Sequence, residues 1–203
     1  MNLAGTNSIE TDRLILRRFT TDDAEDMYMN WASDPQVTKY LTWPTHGSVE
    51  VTRQVLGDWI PRYEDGGYFN WALVLKETGA VIGNIAVVRL DEAVEAAEVG
   101  YCLSRAYWGQ GIMTEALTAV IHDLFERVRV HRVAAYHDAN NPASGRVMEK
   151  AGMKPEGVMR QAKANNTGVC DVVWHAILRS DLECSGRPQP DKPVKDTCRE
   201  DLI

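Results

Sequence analysis

Cysteine is scarce and scattered in this sequence. Cys102, Cys170, Cys184 and Cys198 are the only four, and none forms a C-x-x-C pair. That spacing argues against a zinc site and leaves free thiols in a reducing cytoplasm as the expectation. Positive charge is in deficit as well: 22 Lys and Arg stand against 29 Asp and Glu, a formal net charge of -7. With no basic run to offset it, this argues against a nucleic-acid partner and fits a small or cationic one. No apolar run approaches the length of a membrane span. The first residues, Met1-Asn2-Leu3-Ala4-Gly5-Thr6-Asn7, have neither the charged nor the apolar region of a signal peptide, so a cytoplasmic protein away from membranes is expected. There are no internal repeats. What the chain does have is 203 residues, 44% of them hydrophobic, enough for one domain with a sizeable core.

Residues 1–8 read as disordered, residues 9–182 as the domain, and residues 183–203, with Pro188, Pro190 and Pro193 among charges, as a flexible polar tail. The run Arg13-Leu-Ile-Leu-Arg-Arg-Phe19 has strand character. Thr21 or Asp22 can cap a helix running to Trp31, because both side chains accept bonds from free helical N–H groups. A second helix is predicted from Ser48 toward Tyr63, ended or kinked by Pro61. Strands are predicted over Phe69–Lys76, Ala80–Leu90 and Ala97–Leu103, the first two joined by the hairpin turn Glu77-Thr-Gly79. Apolar residues at Met113, Leu117, Val120, Ile121, Leu124 and Phe125 recur at helical spacing and mark the core face of a helix from Gly111 to about Arg129. A buried strand His131–His137 follows, then a helix Asn141–Ala151 with Pro142 in its first turn and Gly152 past its end. Strands near Val158–Ala164 and Val169–Leu178 complete the domain. This order, strand, two helices, three antiparallel strands, helix, strand, helix and two strands, describes a mixed α/β layer rather than a doubly wound sheet.

The most informative segment is Tyr101-Cys-Leu-Ser-Arg-Ala-Tyr-Trp-Gly-Gln-Gly-Ile-Met-Thr-Glu-Ala-Leu117, which passes from a strand through Trp108-Gly-Gln-Gly111 into an apolar helix. Two glycines at a helix start let the backbone approach a ligand with its N–H groups exposed, and those groups favour phosphate oxygens. The competing reading is an ordinary tight turn.

Several separated segments then converge. Glu10-Thr-Asp-Arg-Leu-Ile-Leu-Arg17, Trp108-Gly-Gln-Gly-Ile-Met-Thr-Glu-Ala116, Asn141-Pro-Ala-Ser144, Glu149-Lys-Ala-Gly-Met153 and Glu156-Gly157 together resemble the GNAT superfamily of acetyl-CoA-dependent N-acetyltransferases. Within it they look closest to the RimJ/RimL-type branch that acetylates ribosomal-protein N-termini. The resemblance covers roughly residues 9–182. It implies a single α/β (α+β) domain whose mixed, mostly antiparallel sheet has about seven strands and about four flanking helices. Two neighbouring parallel strands, the one ending near Leu103 and His131–His137, would splay apart to admit acetyl-CoA. The pyrophosphate would lie on the amides of Gly109, Gln110, Gly111, Ile112, Met113 and Thr114. The pantetheine arm would pair with the strand edge near Cys102 and Leu103 as an added strand, and Asn141 would bond that arm. The sequence departs from the family pattern with Trp108 at the first place and Met113 at the last of the Gly-rich motif. No metal is implied, and a monomer or a homodimer is.

Acetyl transfer to an amine needs a base for the protonated amine and an acid for the leaving thiolate. Glu98 occupies the strand position where some superfamily members keep a base. The alternative is a structural glutamate. Ser144 matches a serine assigned in the ribosomal-protein branch to protonating the thiolate, or is a polar residue of a helix's first turn. Lys163 stands where that branch has a glutamate, and a charged lysine cannot act as a base. Tyr101 and His137 are further acid–base candidates, though a histidine ending a buried strand is more often structural. Cys102 reads as core, with no His–acid pair to activate it. Trp43, in the aromatic loop Tyr40-Leu-Thr-Trp-Pro44, is expected together with Tyr101 to contact the acceptor. The leading expectation is acetylation of a protein or peptide α-amine. A small amine such as a polyamine, amino acid or antibiotic is the alternative acceptor, and a non-catalytic acyl-CoA sensor is the reading from another class.

Overall fold

A computed structural model describes residues 1–185 of the chain. Among these residues eight strands form one sheet: β1 (Ile9–Glu10), β2 (Leu14–Arg17), β3 (Asn70–Leu75), β4 (Val81–Asp91), β5 (Ala96–Leu103), β6 (Arg132–Asp138), β7 (Lys154–Asn165) and β8 (Gly168–Leu178). Their spatial order is β1-β2-β3-β4-β5-β6-β8-β7. Every neighbouring pair is antiparallel except β5 and β6. The helices are α1 (Ala24–Met27), α2 (Pro35–Thr38), α3 (Val49–Trp59), α4 (Ile112–Asp123), α5 (Pro142–Lys150) and α6 (Arg179–Ser185). None among the described residues is long and apolar enough to cross a membrane.

The sheet separates two cores, which is why β3 is buried at all six positions rather than at alternate ones. On one face Leu14, Leu16, Trp71, Leu73, Ile82, Ile85 and Val99 meet the apolar stripe of α4 and Met148 of α5. On the other, Ala72, Val74, Val81 and Cys102 meet Phe19, Met27, Trp31 and Leu56 from the segment carrying α1 to α3. Pro61 does what its missing N–H dictates: α3 stops at Trp59 and the chain tightens into a 3-10 turn, Ile60–Glu64.

One expectation needs correction, and two approximate counts are made definite. Residues 1–8 are not loose. Their small polar side chains and backbone find partners: Asn2 N donates to Val128 O at 2.7 Å, and Thr6 Oγ1 donates to Tyr68 O at 3.0 Å while accepting Asn70 N at 2.9 Å. Trp71 Nε1 donates to Asn7 O at 2.8 Å, so the segment closes over the end of β3. An eighth strand, β1, is too short to leave a pattern of its own. The helices also number more than four, because α2 and α6 are only four and seven residues long. The expected polar tail begins inside α6, and from residue 186 onward it lies outside the described residues.

Candidate active site

β5 and β6 pair only at Ala96–Arg132, Ala97–Val133 and Glu98–Ala134. Both strands run on, to Leu103 and Asp138, without pairing further, so they part just beyond Glu98. A cavity of about 790 Å³ occupies the gap. It is lined from both sides of the sheet: Met113, Tyr101 and Ser144 from the α4 and α5 side, Asn70, Asn84, Glu98 and Cys102 from the other. The splay is therefore a slot through the sheet, and a ligand entering from one face can meet a ligand entering from the other.

At one end of the slot lies the glycine turn. Gly109 and Gly111 have φ of 75° and 77°, the left-handed region that a side chain would strain. Gly111 caps α4, and the amides of Gly109, Gln110, Gly111, Ile112, Met113 and Thr114 find no acceptor among the described residues. Six unpaired N–H groups at the positive end of a helix dipole form an anion seat. The two departures from the family motif leave it open. Met113 is 5% exposed and turns into the core, and Trp108 lies at the surface with its Nε1 donating to Leu103 O at 2.8 Å. The Gln110 side chain is occupied locally, its Nε2 donating to Ala106 O at 2.9 Å.

The turn is braced by residues that local sequence reading does not single out. Glu115 accepts from Thr11 Oγ1 at 2.5 Å, Arg13 N at 2.9 Å and Arg13 Nε at 2.7 Å, and Arg13 Nη1 donates to Gln110 O at 2.9 Å. Burial pushes the Glu115 carboxyl up, but these hydrogen bonds outweigh it and hold the group below its ordinary value. Thr11 and Arg13 belong to the N-terminal segment that carries the family resemblance, and the structure gives that segment a mechanical reason.

Across the slot, Tyr101 Oη lies 2.9 Å from Ser144 Oγ and donates to Ser144 O at 3.0 Å. Burial drives the Tyr101 phenol far above its usual range, so it stays protonated. Asn141 is the N-cap of α5 yet makes no side-chain capping bond, and its side chain lines the cavity. The side chain of Glu98, half-buried at the last position where β5 pairs with β6, has no hydrogen bond or ion pair among the described residues. The structure thus gathers Glu98, Tyr101, Cys102, Leu103, Asn141, Ser144 and most of the glycine turn around one cavity.

Other candidates fall into place around it. Cys102 is buried, its thiol pushed up to about 12 by burial, and it donates to Asn84 Oδ1 at 2.8 Å, as a core residue does. His137 is buried and lines the cavity, with Nδ1 on Asp138 O at 2.8 Å. Lys163 does not line the cavity. Its ammonium lies 4.9 Å from the ring centre of Tyr136, a cation–π contact. Trp43 does line it, and its loop is tied to the β7–β8 turn by Asn166 Nδ2, which donates to Thr38 O and Trp43 O at 2.8 Å each.

Comparison with known proteins agrees with this geometry. The family described as Acetyltransferase (GNAT) domain matches residues 13–154. YoaA, an uncharacterized N-acetyltransferase of Bacillus subtilis, is 29% identical over 171 residues, covering 84% of this chain and 96% of that protein. The ribosomal-protein-serine acetyltransferase of Escherichia coli is 31% identical over 139 residues, 68% of this chain and 76% of its own length. Among solved structures, RimL, a ribosomal L7/L12 alpha-N-protein acetyltransferase in complex with coenzyme A, superposes with a TM-score of 0.74 at 24% identity, covering 85% of this chain and 98% of that one. A slot between two parting parallel strands, an anion seat at its end and the match over residues 13–154 lead to one conclusion: the chain belongs to the GNAT acetyltransferase family and is an N-acetyltransferase.

Proposed function

We propose that this enzyme transfers the acetyl group of acetyl-CoA to the α-amine of a protein or peptide N-terminus. The observation that carries this reading is the slot itself, with an anion seat at one end and an unpartnered carboxylate, Glu98, where the strands part. Acetyl-CoA supplies a thioester, whose C–S bond breaks as the amine nitrogen bonds to the acetyl carbon. The amides of Gly109 to Thr114 hold the pyrophosphate, the free edge of β5 near Cys102 and Leu103 pairs with the pantetheine arm, and Asn141 bonds that arm. Glu98 receives the proton of the amine, directly or through water, because an alkylamine is almost wholly protonated near neutral pH. Ser144 gives its proton to the departing thiolate and regains one from water, and the Tyr101 phenol, which donates to Ser144 O, positions the serine hydroxyl 2.9 Å away.

The protein acceptor is supported by relatives named ribosomal-protein-serine acetyltransferase and [ribosomal protein uS5]-alanine N-acetyltransferase, both of Escherichia coli. With Lys163 seated on Tyr136, the base is assigned to Glu98. Thiol release measured across peptide N-termini, polyamines, amino acids and antibiotics tests the reading. Peptides are expected to give the highest kcat/KM. Turnover confined to small amines would overturn the acceptor assignment and leave the reaction class standing.

A further inference from the structure

The acceptor side of the cavity carries a polar chain for which the transfer step has no use. Cys102 Sγ donates to Asn84 Oδ1 at 2.8 Å, Asn84 Nδ2 donates to Asn70 Oδ1 at 3.2 Å, and Asn70 Nδ2 donates to Tyr68 Oη at 3.0 Å. All four residues line the cavity. The direction of the chain is set at its origin, because the buried Cys102 thiol keeps its proton. Each amide then has its oxygen facing a donor and its nitrogen facing an acceptor. The Tyr68 oxygen already accepts, and its own proton finds no acceptor among the described residues. Tyr68 therefore offers the cavity a hydrogen-bond donor. Beside it the Arg62 guanidinium lies 4.2 Å from the centre of the Tyr68 ring, lines the same cavity, and has no ion pair or side-chain hydrogen bond among the described residues. The 3-10 turn after Pro61 places it there.

A phenol proton and an unpaired guanidinium side by side suit a carboxylate. Between them and Glu98, the residues Asn70, Ala86 and Gly100 form one row across β3, β4 and β5, and Val88 Cγ1 stands over Gly100, 3.2 Å from where a Cβ would lie. With strands about 4.8 Å apart, Asn70 lies roughly 10 Å from Gly100, and Glu98 lies about 7 Å farther along β5. An extended chain advances about 3.3–3.6 Å per residue, so a peptide whose amine meets Glu98 reaches Tyr68 with the side chain of its second or third residue.

We propose that Arg62 and Tyr68 select acidic acceptors, receiving a carboxylate on the second or third residue of the peptide while Glu98 receives its N-terminal amine. This rests on the peptide-acetylating reading above and narrows it. A polyamine would bring a second cation against Arg62 and is disfavoured.

The test is steady-state acetylation of one peptide carrying Glu, Gln or Lys at its second and third positions. Wild-type enzyme is expected to favour Glu over Lys in kcat/KM by roughly tenfold, the value of one charge-assisted hydrogen bond. Arg62→Glu should reverse that ratio, Arg62→Lys should keep most of it, and Tyr68→Phe should raise KM for the Glu peptide with kcat little changed. The KM for acetyl-CoA and the thermal shift on adding CoA should stay at wild-type values. Where Arg62→Glu loses that shift, Arg62→Gln carries the same comparison and should bring the ratio near unity. A wild-type preference for Lys, or a ratio that Arg62→Glu or Arg62→Gln leaves unmoved while peptides are turned over, overturns the inference alone. Absence of turnover on every peptide, with small amines acetylated, overturns the peptide reading and this inference with it.

Discussion

Glu115 sits in the first turn of α4, where a carboxylate favours the helix dipole, and it also receives three hydrogen bonds from Thr11 and Arg13. Its pKa in the folded chain is held below the ordinary 4.5, so the stability it contributes is fully present above that value and fades as pH falls through the depressed folded value. Glu115→Gln is expected to cost about 1 kcal/mol at neutral pH, a modest figure because Arg13 is half exposed. The difference from wild type should shrink on acidification below pH 4.5. KM for acetyl-CoA should rise several-fold, since Arg13 then holds Gln110 O less firmly. Denaturant unfolding at several pH values, together with initial rates, reads all three. This brace shows where legibility stops at the residue scale. The glycines and Glu98, Asn141 and Ser144 stand in contiguous motifs whose chemistry is local. Thr11 and Glu115 are 104 positions apart, and nothing in either neighbourhood announces the other. Tyr68, Asn70 and Asn84 are hidden for the same reason, as single polar residues in or beside strands that read as hydrophobic.

At the scale of elements, what carries period and punctuation was legible. The stripe of α4, the Pro142 start and Gly152 end of α5, and the hairpin at Gly79 all agree with the structure to within a residue or two. The elements without such marks were not. β1 and α2 are too short for a period to register. The end of α4 widens into a π turn, Leu124–Val128, whose closing residue Arg129 is left-handed at φ 67°, a conformation no arginine advertises. Packing between elements is likewise invisible in one dimension. Gly145 lies mid-helix in α5, where alanine would ordinarily stabilise by about 1 kcal/mol. A Cβ there would stand 2.6 Å from His137 Nε2, and the ring cannot swing away because its Nδ1 is bonded to Asp138 O. Gly145→Ala should therefore lift α5 off β6 and destabilise the fold by about 1–2 kcal/mol net. The adjacent Ser144 moves with it, away from Tyr101, so kcat should fall by about tenfold or more. A variant as stable and as fast as wild type would show that α5 does not set the Ser144–Tyr101 contact.

For the molecule as a whole, the slot is also a weakness. Among the described residues β5 and β6 are the only parallel neighbours in the sheet, and three residue pairs hold them together before they part. The sheet is joined through β5 and β6, yet past Glu98 nothing in the described chain hydrogen-bonds the two strands across the gap. A ligand that lines the β5 edge and seats its phosphates on the glycine turn supplies part of that missing pairing, and it binds the folded chain alone. CoA at a hundred times its Kd is thus expected to stabilise the fold by about 2.7 kcal/mol. For a chain of this size that is a rise in Tm of roughly 5–11 °C. Pantetheine, which lacks the pyrophosphate, should give only a fraction of the shift at the same concentration. The glycine turn allows a sharper comparison. A Cβ at Gly109 meets nothing within 4 Å, so Gly109→Val disturbs no packing and acts through its left-handed φ of 75° alone. The strain tilts the turn's amides out of register, so this variant should fold, melt within a few degrees of wild type without ligand, and lose most of the shift with CoA while keeping the smaller one with pantetheine. Equal CoA shifts in the two proteins would mean that the phosphates are held elsewhere and that the turn is only a turn.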